Sequence, residues 1–223
     1  VAAGLAYGPF TKEEMDDELG PSSWRCLHRF GVEQGTEDDG YTVKVRACDN
    51  GRAGRHNAAT ATHESIACED ASFPMLVADL FSDEFGEHRV ALAHSTDDVV
   101  SAYRRMAAAH PEATVVAVYD TELGDVRYYT MNGFPFGLLS AVNAFNRHSQ
   151  IVAMVARRFF GVCTAGYFDD YDITEPVYAG RSAKNILRRL HIWLGMPLAT
   201  GATDVDPGAT NPFLGVISDL REF

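Results

Sequence analysis

GYFDDYDI, residues 166–173, sets two adjacent carboxylates, Asp169 and Asp170, behind an aromatic pair and ahead of another aromatic. VCTAGYF (162–168) reads as a strand running into the pair, and YDITEPVY (171–178) returns from it. The aspartates therefore fall at the tip of a hairpin. Neighbouring carboxylates repel, and two readings account for their presence. One is a solvated turn, since Asp bonds its own backbone and tolerates tight dihedrals. The other is a divalent cation held between carboxylates, which requires a third acid from elsewhere in the chain.

The surrounding pattern supplies a frame for that hairpin. TVVAVYD (114–120) and DVRYYTM (125–131) are β-rich runs joined by TELG, a second hairpin. GLLSAVNAFNRHSQIVAMVARRFF (137–160) places apolar residues at helical spacing, predicting a long helix packed on a sheet. A second helix fits 181–194, with Ile186, Leu187, Leu190 and Trp193 on one face, and PFLGVISDL (212–220) offers a last short strand. Nearer the start, Thr11-Lys12-Glu13-Glu14 has the form of a capping box, closed by Gly20-Pro21. A polar, Gly-rich region follows to about residue 62, loop-heavy apart from short strands such as YTVKVRA (41–47). FPMLVADLF (73–81) suits a buried helix or a strand. The order predicts an α+β layer fold, with helices on one face of an antiparallel sheet.

Hydrophobic residues make up 46% of the 223 and charged residues 22%, which excludes a disordered chain. Apolar stretches are broken by Arg, His or Asp well short of a membrane span. The four cysteines (Cys26, Cys48, Cys68, Cys163) show no zinc-finger spacing, and reduced thiols in an intracellular protein, cytoplasmic or nuclear, are expected. The start VAAGLAYGPFTKEEM lacks an initiator Met and reads as a piece of a longer chain. Formal net charge is −12, so nucleic acid would be repelled unless bases line one groove or a metal offsets the acids.

A third carboxylate lies upstream in STDDVVSAYRRM (95–106), where Tyr103 follows Asp98 by five residues; Asp97 is its rival and is expected to be solvated. Between this stretch and the Asp pair stands NGFPFGLLSAVNAFNR (132–147). The series D-x-x-x-A-Y, FPFG-x-x-SA-x-x-AF, Y-x-DD and FLG resembles the ordered motifs of reverse transcriptases, and KVRACDNGRAGRHN resembles the fingers segment before them. FGLLSAVNAFNR with YFDDYDITEP is especially similar to DIRS-like, retrotransposon-derived polymerases. The resemblance spans about residues 24 to 218.

It implies a polymerase palm, a ferredoxin/RRM-like antiparallel sheet with helices on one face, over 89–223, truncated before a thumb. An N-terminal segment and partial fingers would occupy 1–88. It implies Asp98, Asp169 and Asp170 as ligands of Mg²⁺ (or Mn²⁺), Tyr103 as a ring excluding a 2′-hydroxyl, and Phe136 and Gly137 beside the incoming nucleotide. Lys44 and Arg46 would bind its triphosphate, with Arg52 and Arg55 as alternatives. Implied partners are an RNA/DNA primer–template and deoxynucleotide triphosphates. Without the resemblance, Tyr103 is a core tyrosine, Lys44 and Arg46 the wet face of a strand, and 135–137 a strand-to-helix turn. Asn143 and Arg147 would touch template or form a polar helix face, and His148 and His191 are read as structural.

Two departures stand out. No Lys precedes FLG, where the family carries a proton donor to pyrophosphate, and Val142 follows SA where Pro is common. The missing Lys, the acidic balance and the expected truncation before a thumb leave a degenerate, non-catalytic nucleic-acid-binding module as the alternative. A viral RNA-directed RNA polymerase fits less well, because Tyr103 is the wrong residue type for a ribose.

Overall fold

A computed structural model describes residues 4–36, 40–86, 88–201, 204–221 and 223. In chain order the elements are β1 (Ala6–Phe10), α1 (Lys12–Leu19), β2 (Cys26–Thr36), β3 (Val43–Asn50), α2 (Phe73–Phe85), β4 (Leu92–Asp98), β5 (Val115–Asp120), β6 (Asp125–Met131), α3 (Leu139–Phe160), β7 (Thr164–Tyr167), β8 (Asp170–Pro176), α4 (Val177–Trp193), β9 (Thr210–Phe213) and β10 (Val216–Asp219). The fold is α+β. Two compact units interleave along the chain: unit 1 within Val1–Glu64 and Tyr103–Ala144, unit 2 within Ser65–Ala102 and Phe145–Phe223. A division at 88/89 coincides with none of the three boundaries, and one of them falls inside α3.

Unit 1 is a five-stranded sheet in the order β1-β6-β5-β2-β3. Its pairings are antiparallel except β2 with β5, so the sheet is mixed. The expected β5–β6 hairpin is present, closed at Asp120 opposite Asp125. The expected capping box is also present: the Thr11 hydroxyl accepts the Glu14 amide, and the Glu14 carboxylate accepts the Thr11 amide. Leu27, Val116, Met131, Leu138 and Ala141 form a core cluster here. The region expected to be loop-heavy instead contains the eleven-residue β2, paired along its length with β3.

Unit 2 carries a three-stranded antiparallel sheet, β4-β8-β7, and a separate hairpin, β10-β9. FPMLVADLF resolves as helix α2, with Pro74 tolerated in its first turn because that amide has no partner within the helix. α2 and α4 pack on β8, and α4 also on β4. α4 begins at Val177, earlier than the sequence suggested. Leu187 and Leu190 face the core as expected, but Trp193 is 70% exposed and is no part of that face. The last "strand" is two strands: a two-residue turn, Leu214-Gly215, has positive φ at both positions (50° and 78°) and folds β10 back on β9.

Candidate active site

The hairpin that opened the sequence is formed by β7 and β8, with Tyr167 opposite Asp170 and the turn made by Phe168 and Asp169. Phe168 sits at φ 53°, an uncommon conformation for a bulky residue and a local store of strain. β8 also pairs with β4, and the register places Asp98 directly opposite Asp170. The Val99 amide donates to the Asp169 carbonyl (3.0 Å), tying the turn to the end of β4. Three acids expected from the sequence thus meet at one end of a single sheet. The turn reading is met at Asp169, and Asp170 begins a strand beside Asp98.

Electrostatics record the crowding. Asp170 is an exposed residue, yet its carboxyl is pushed up to about 6, first by the protein packed around it and then by the charges of Asp169 and Asp98. The donors are carboxylate oxygens, the chemistry that Mg²⁺ and Mn²⁺ prefer. Among the described residues, no group of three or more His, Cys, Asp or Glu is placed to hold a metal ion, Asp98, Asp169 and Asp170 included. Mg²⁺ does not require such a group, because it retains waters and takes substrate oxygens alongside one or two carboxylates.

Asp97 corrects an expectation. It is 2% exposed, not solvated, and its side chain meets Arg188 (3.0 Å) and Lys184 (3.7 Å) of α4. Successive strand residues face opposite sides of the sheet, so Asp97 lies with Tyr171 on the α4 side and Asp98 with Asp170 on the other. Burial raises the Asp97 carboxyl, and the two cations oppose that shift. His148 and His191 lie in the interior of unit 2, where the His191 ring meets Tyr171 (4.7 Å between centroids) and His148 (6.0 Å).

The residues expected to face the nucleotide belong to unit 1. Tyr103 is half-buried against the core cluster, edge-on to Phe136 with ring centroids 5.1 Å apart. Its carbonyl accepts the amides of Met106 and Phe134 (both 3.1 Å). Gly137 has φ 97°, and a Cβ there would lie 2.0 Å from the Asp49 carbonyl oxygen. Lys44 and Arg46 share one face of β3, both exposed. Val43 (48%) and Val45 (57%) on the other face are exposed too, so this stretch has no single wet face. Asn143 donates to the Leu139 carbonyl of its own helix (3.3 Å).

Three residues here were not singled out from sequence. Asn57 accepts the Leu139 amide and donates to the Gly137 carbonyl (both 2.9 Å), tying the start of α3. Arg29 grips buried Asp49 in a two-pronged pair (2.8 and 3.0 Å). Arg104 stands over the Phe136 ring (5.4 Å) and reaches the Ala47 carbonyl (3.5 Å). Asn57 and Arg104 lay in stretches the motifs had marked, Arg29 did not, and all three partnerships join distant segments. A separate cavity of about 500 Å³ in unit 1 is lined by Trp24, Arg25, Arg55 and His56; Arg55, an alternative for the triphosphate, lines it, and Lys44, Arg46, Tyr103, Phe136 and Gly137 do not.

Comparison with protein-family models and with curated proteins found no match to this chain. Among the described residues, no helix is long and apolar enough to cross a membrane.

Proposed function

We propose that this chain is the fingers and palm portion of a retroelement RNA-directed DNA polymerase, extending a primer with deoxynucleotides on an RNA template. On this reading unit 2 holds the catalytic end of the palm, with Asp98, Asp169 and Asp170. The observation that carries it is the β4–β8 register, which sets Asp98 opposite Asp170 with Asp169 in the adjoining turn. Two distant motifs thus bring carboxylate residues to one sheet end, an arrangement that suits a divalent cation bridging to a phosphate-bearing substrate.

Mg²⁺ or Mn²⁺ would be held by Asp98, Asp169 and Asp170; when bound, such ions activate the attacking hydroxyl and stabilise the departing pyrophosphate. The protein's own part is positioning and charge. Asp170, whose carboxyl is raised by burial and by its acidic neighbours, would be held in its charged form by such a cation. Tyr103 is stiffened by its contact with Phe136, which suits a ring that excludes a 2′-hydroxyl. Gly137 keeps the chain close at the start of α3. Lys44 and Arg46, exposed on β3, would meet the triphosphate. Lys184 cannot replace the proton donor missing before FLG: it is 5% exposed and paired with Asp204 (2.8 Å).

The test is primer extension on a primed RNA template with Mg²⁺ or Mn²⁺, offering deoxy- and ribonucleotides separately. Metal-dependent incorporation of deoxynucleotides, lost by about 10³-fold or more in a folded Asp169→Asn protein, is expected. Binding of primer–template without incorporation in any metal would establish the non-catalytic module instead. Full activity in Asp169→Asn would remove the metal-ligand role.

A further inference from the structure

Asp97 adjoins Asp98 but is gripped from the opposite side of the sheet. Arg188 bonds Asp97 (3.0 Å) and Asp204 (2.7 Å); Lys184 reaches the same two acids (3.7 and 2.8 Å). The Asp97 carboxylate is wholly buried and the Lys184 side chain nearly so. Two acids and two bases balance in charge. Balanced buried ions are poor stabilisers, since desolvation consumes most of their attraction, so their value lies in the geometry they impose.

That geometry leads to Asp98. The Arg188 guanidinium also donates to the Ala199 carbonyl (3.0 Å), and the Ala199 amide donates to the Asp98 carbonyl (2.7 Å). Around this link, the Val100 amide bonds the Pro197 carbonyl (3.1 Å), and the Val205 amide bonds the Thr96 carbonyl (3.2 Å). Lys184 donates to the carbonyls of Val205 and Thr96. β4 is an edge strand of its sheet, and these bonds cover its open side. Asp98 is therefore fixed through its preceding residue and through its own carbonyl, with Arg188 common to both.

We propose that Arg188 is a positioning residue for Asp98, acting through Asp97 and Ala199 to set the direction of the Asp98 carboxylate for a divalent cation. The inference rests on the reading of Asp98 as a metal-binding carboxylate. Arg188 touches neither metal nor substrate. All three contacts are made by one guanidinium nitrogen, Nη2, at the full reach of the side chain, and a lysine ammonium, one bond shorter, stops short of that point.

The test is a Mn²⁺ titration of the full chain followed by electron paramagnetic resonance, with amide exchange at Ala199 read on the same proteins. Arg188→Gln and Arg188→Lys are expected to weaken Mn²⁺ binding by about tenfold or more, as loss of a residue supporting a metal ligand does, and to speed exchange at Ala199. Arg188→Lys retains the charge and so keeps the fold where Arg188→Gln does not. Arg189→Gln, the same charge change at an exposed neighbour on α4, is expected to bind as wild type. Wild-type affinity in folded Arg188→Lys, with slow Ala199 exchange, overturns the positioning role alone. A wild-type protein that binds no Mn²⁺ overturns the metal reading and the positioning role with it.

Discussion

Gly137 and His191 show how single residues constrain this molecule in opposite ways. At Gly137 the constraint is space and backbone conformation. With φ 97° and the Asp49 carbonyl where a Cβ would go, Gly137→Ala adds strain that no side-chain rotation relieves. A loss of about 3 kcal/mol is expected, visible as a lower melting temperature; an unchanged melt would mean that α3 can start elsewhere. At His191 the constraint is charge. The ring is wholly buried and its titration is lowered from 6.5 to about 4, by burial first and by neighbouring His148 second. A native state that resists protonation binds fewer protons than the unfolded chain between these values, so stability is full above about pH 6.5 and falls as pH drops toward 4. The loss amounts to about 3 kcal/mol from this residue. Urea unfolding at pH 7 and pH 4.5 checks it: His191→Phe, which keeps a ring against Tyr171, is expected to flatten the decline. An equal decline in both proteins would assign it to other groups.

Among the elements, the β9–β10 hairpin depends most on borrowed support. Two strands alone are marginal in water. Here the Asn211 amide donates to His94 Nε2 (3.0 Å), so the ring proton sits on Nδ1, which donates to Asp172 (2.9 Å). Thr174 donates to the other oxygen of that carboxylate (2.7 Å). Burial raises the Asp172 carboxyl, and the bond from His94 counters the shift. His94→Leu removes that bond from a buried acid and is expected to cost about 3–5 kcal/mol. Hydrogen exchange across 210–219 would also accelerate; unchanged exchange there would show the hairpin stands without His94. These supports explain what could be read in advance. α3, the β5–β6 hairpin and the strand-turn-strand around Asp169 carry their signal locally, in apolar spacing and turn residues. β2 does not: nearly all its positions from His28 to Thr36 are exposed or half-exposed, so no buried face imposes alternation on its sequence. Asp98, Asp169 and Asp170 were legible from motif order. The burial of Asp97 was not, because Arg188 lies 91 residues away.

The whole chain passes between its two units at 64/65, 102/103 and 144/145, so neither unit is encoded by one continuous segment. The consequence is sharpest for unit 2. Its sheet needs β4 from the first half of the sequence and β7 and β8 from the second. A cut at 102/103 leaves the fragment 103–223 with only the β7–β8 pairing of that sheet. Asp97 and Asp98 are then missing, and Arg188 and Lys184 lose one of the two acids that neutralise them. A buried charge without its partner is strongly unfavourable, so the fragment lacks more than a strand. Neither 1–102 nor 103–223 is therefore expected to melt cooperatively alone, whereas mixing them is expected to restore a single transition at a lower temperature than the intact chain. Thermal melts followed by circular dichroism, on each fragment and on the equimolar mixture, decide this. A cooperative melt of 103–223 alone near the intact value would mean that β4 is dispensable, and Asp98 would then be an appendage to the sheet rather than one of its fixed ends.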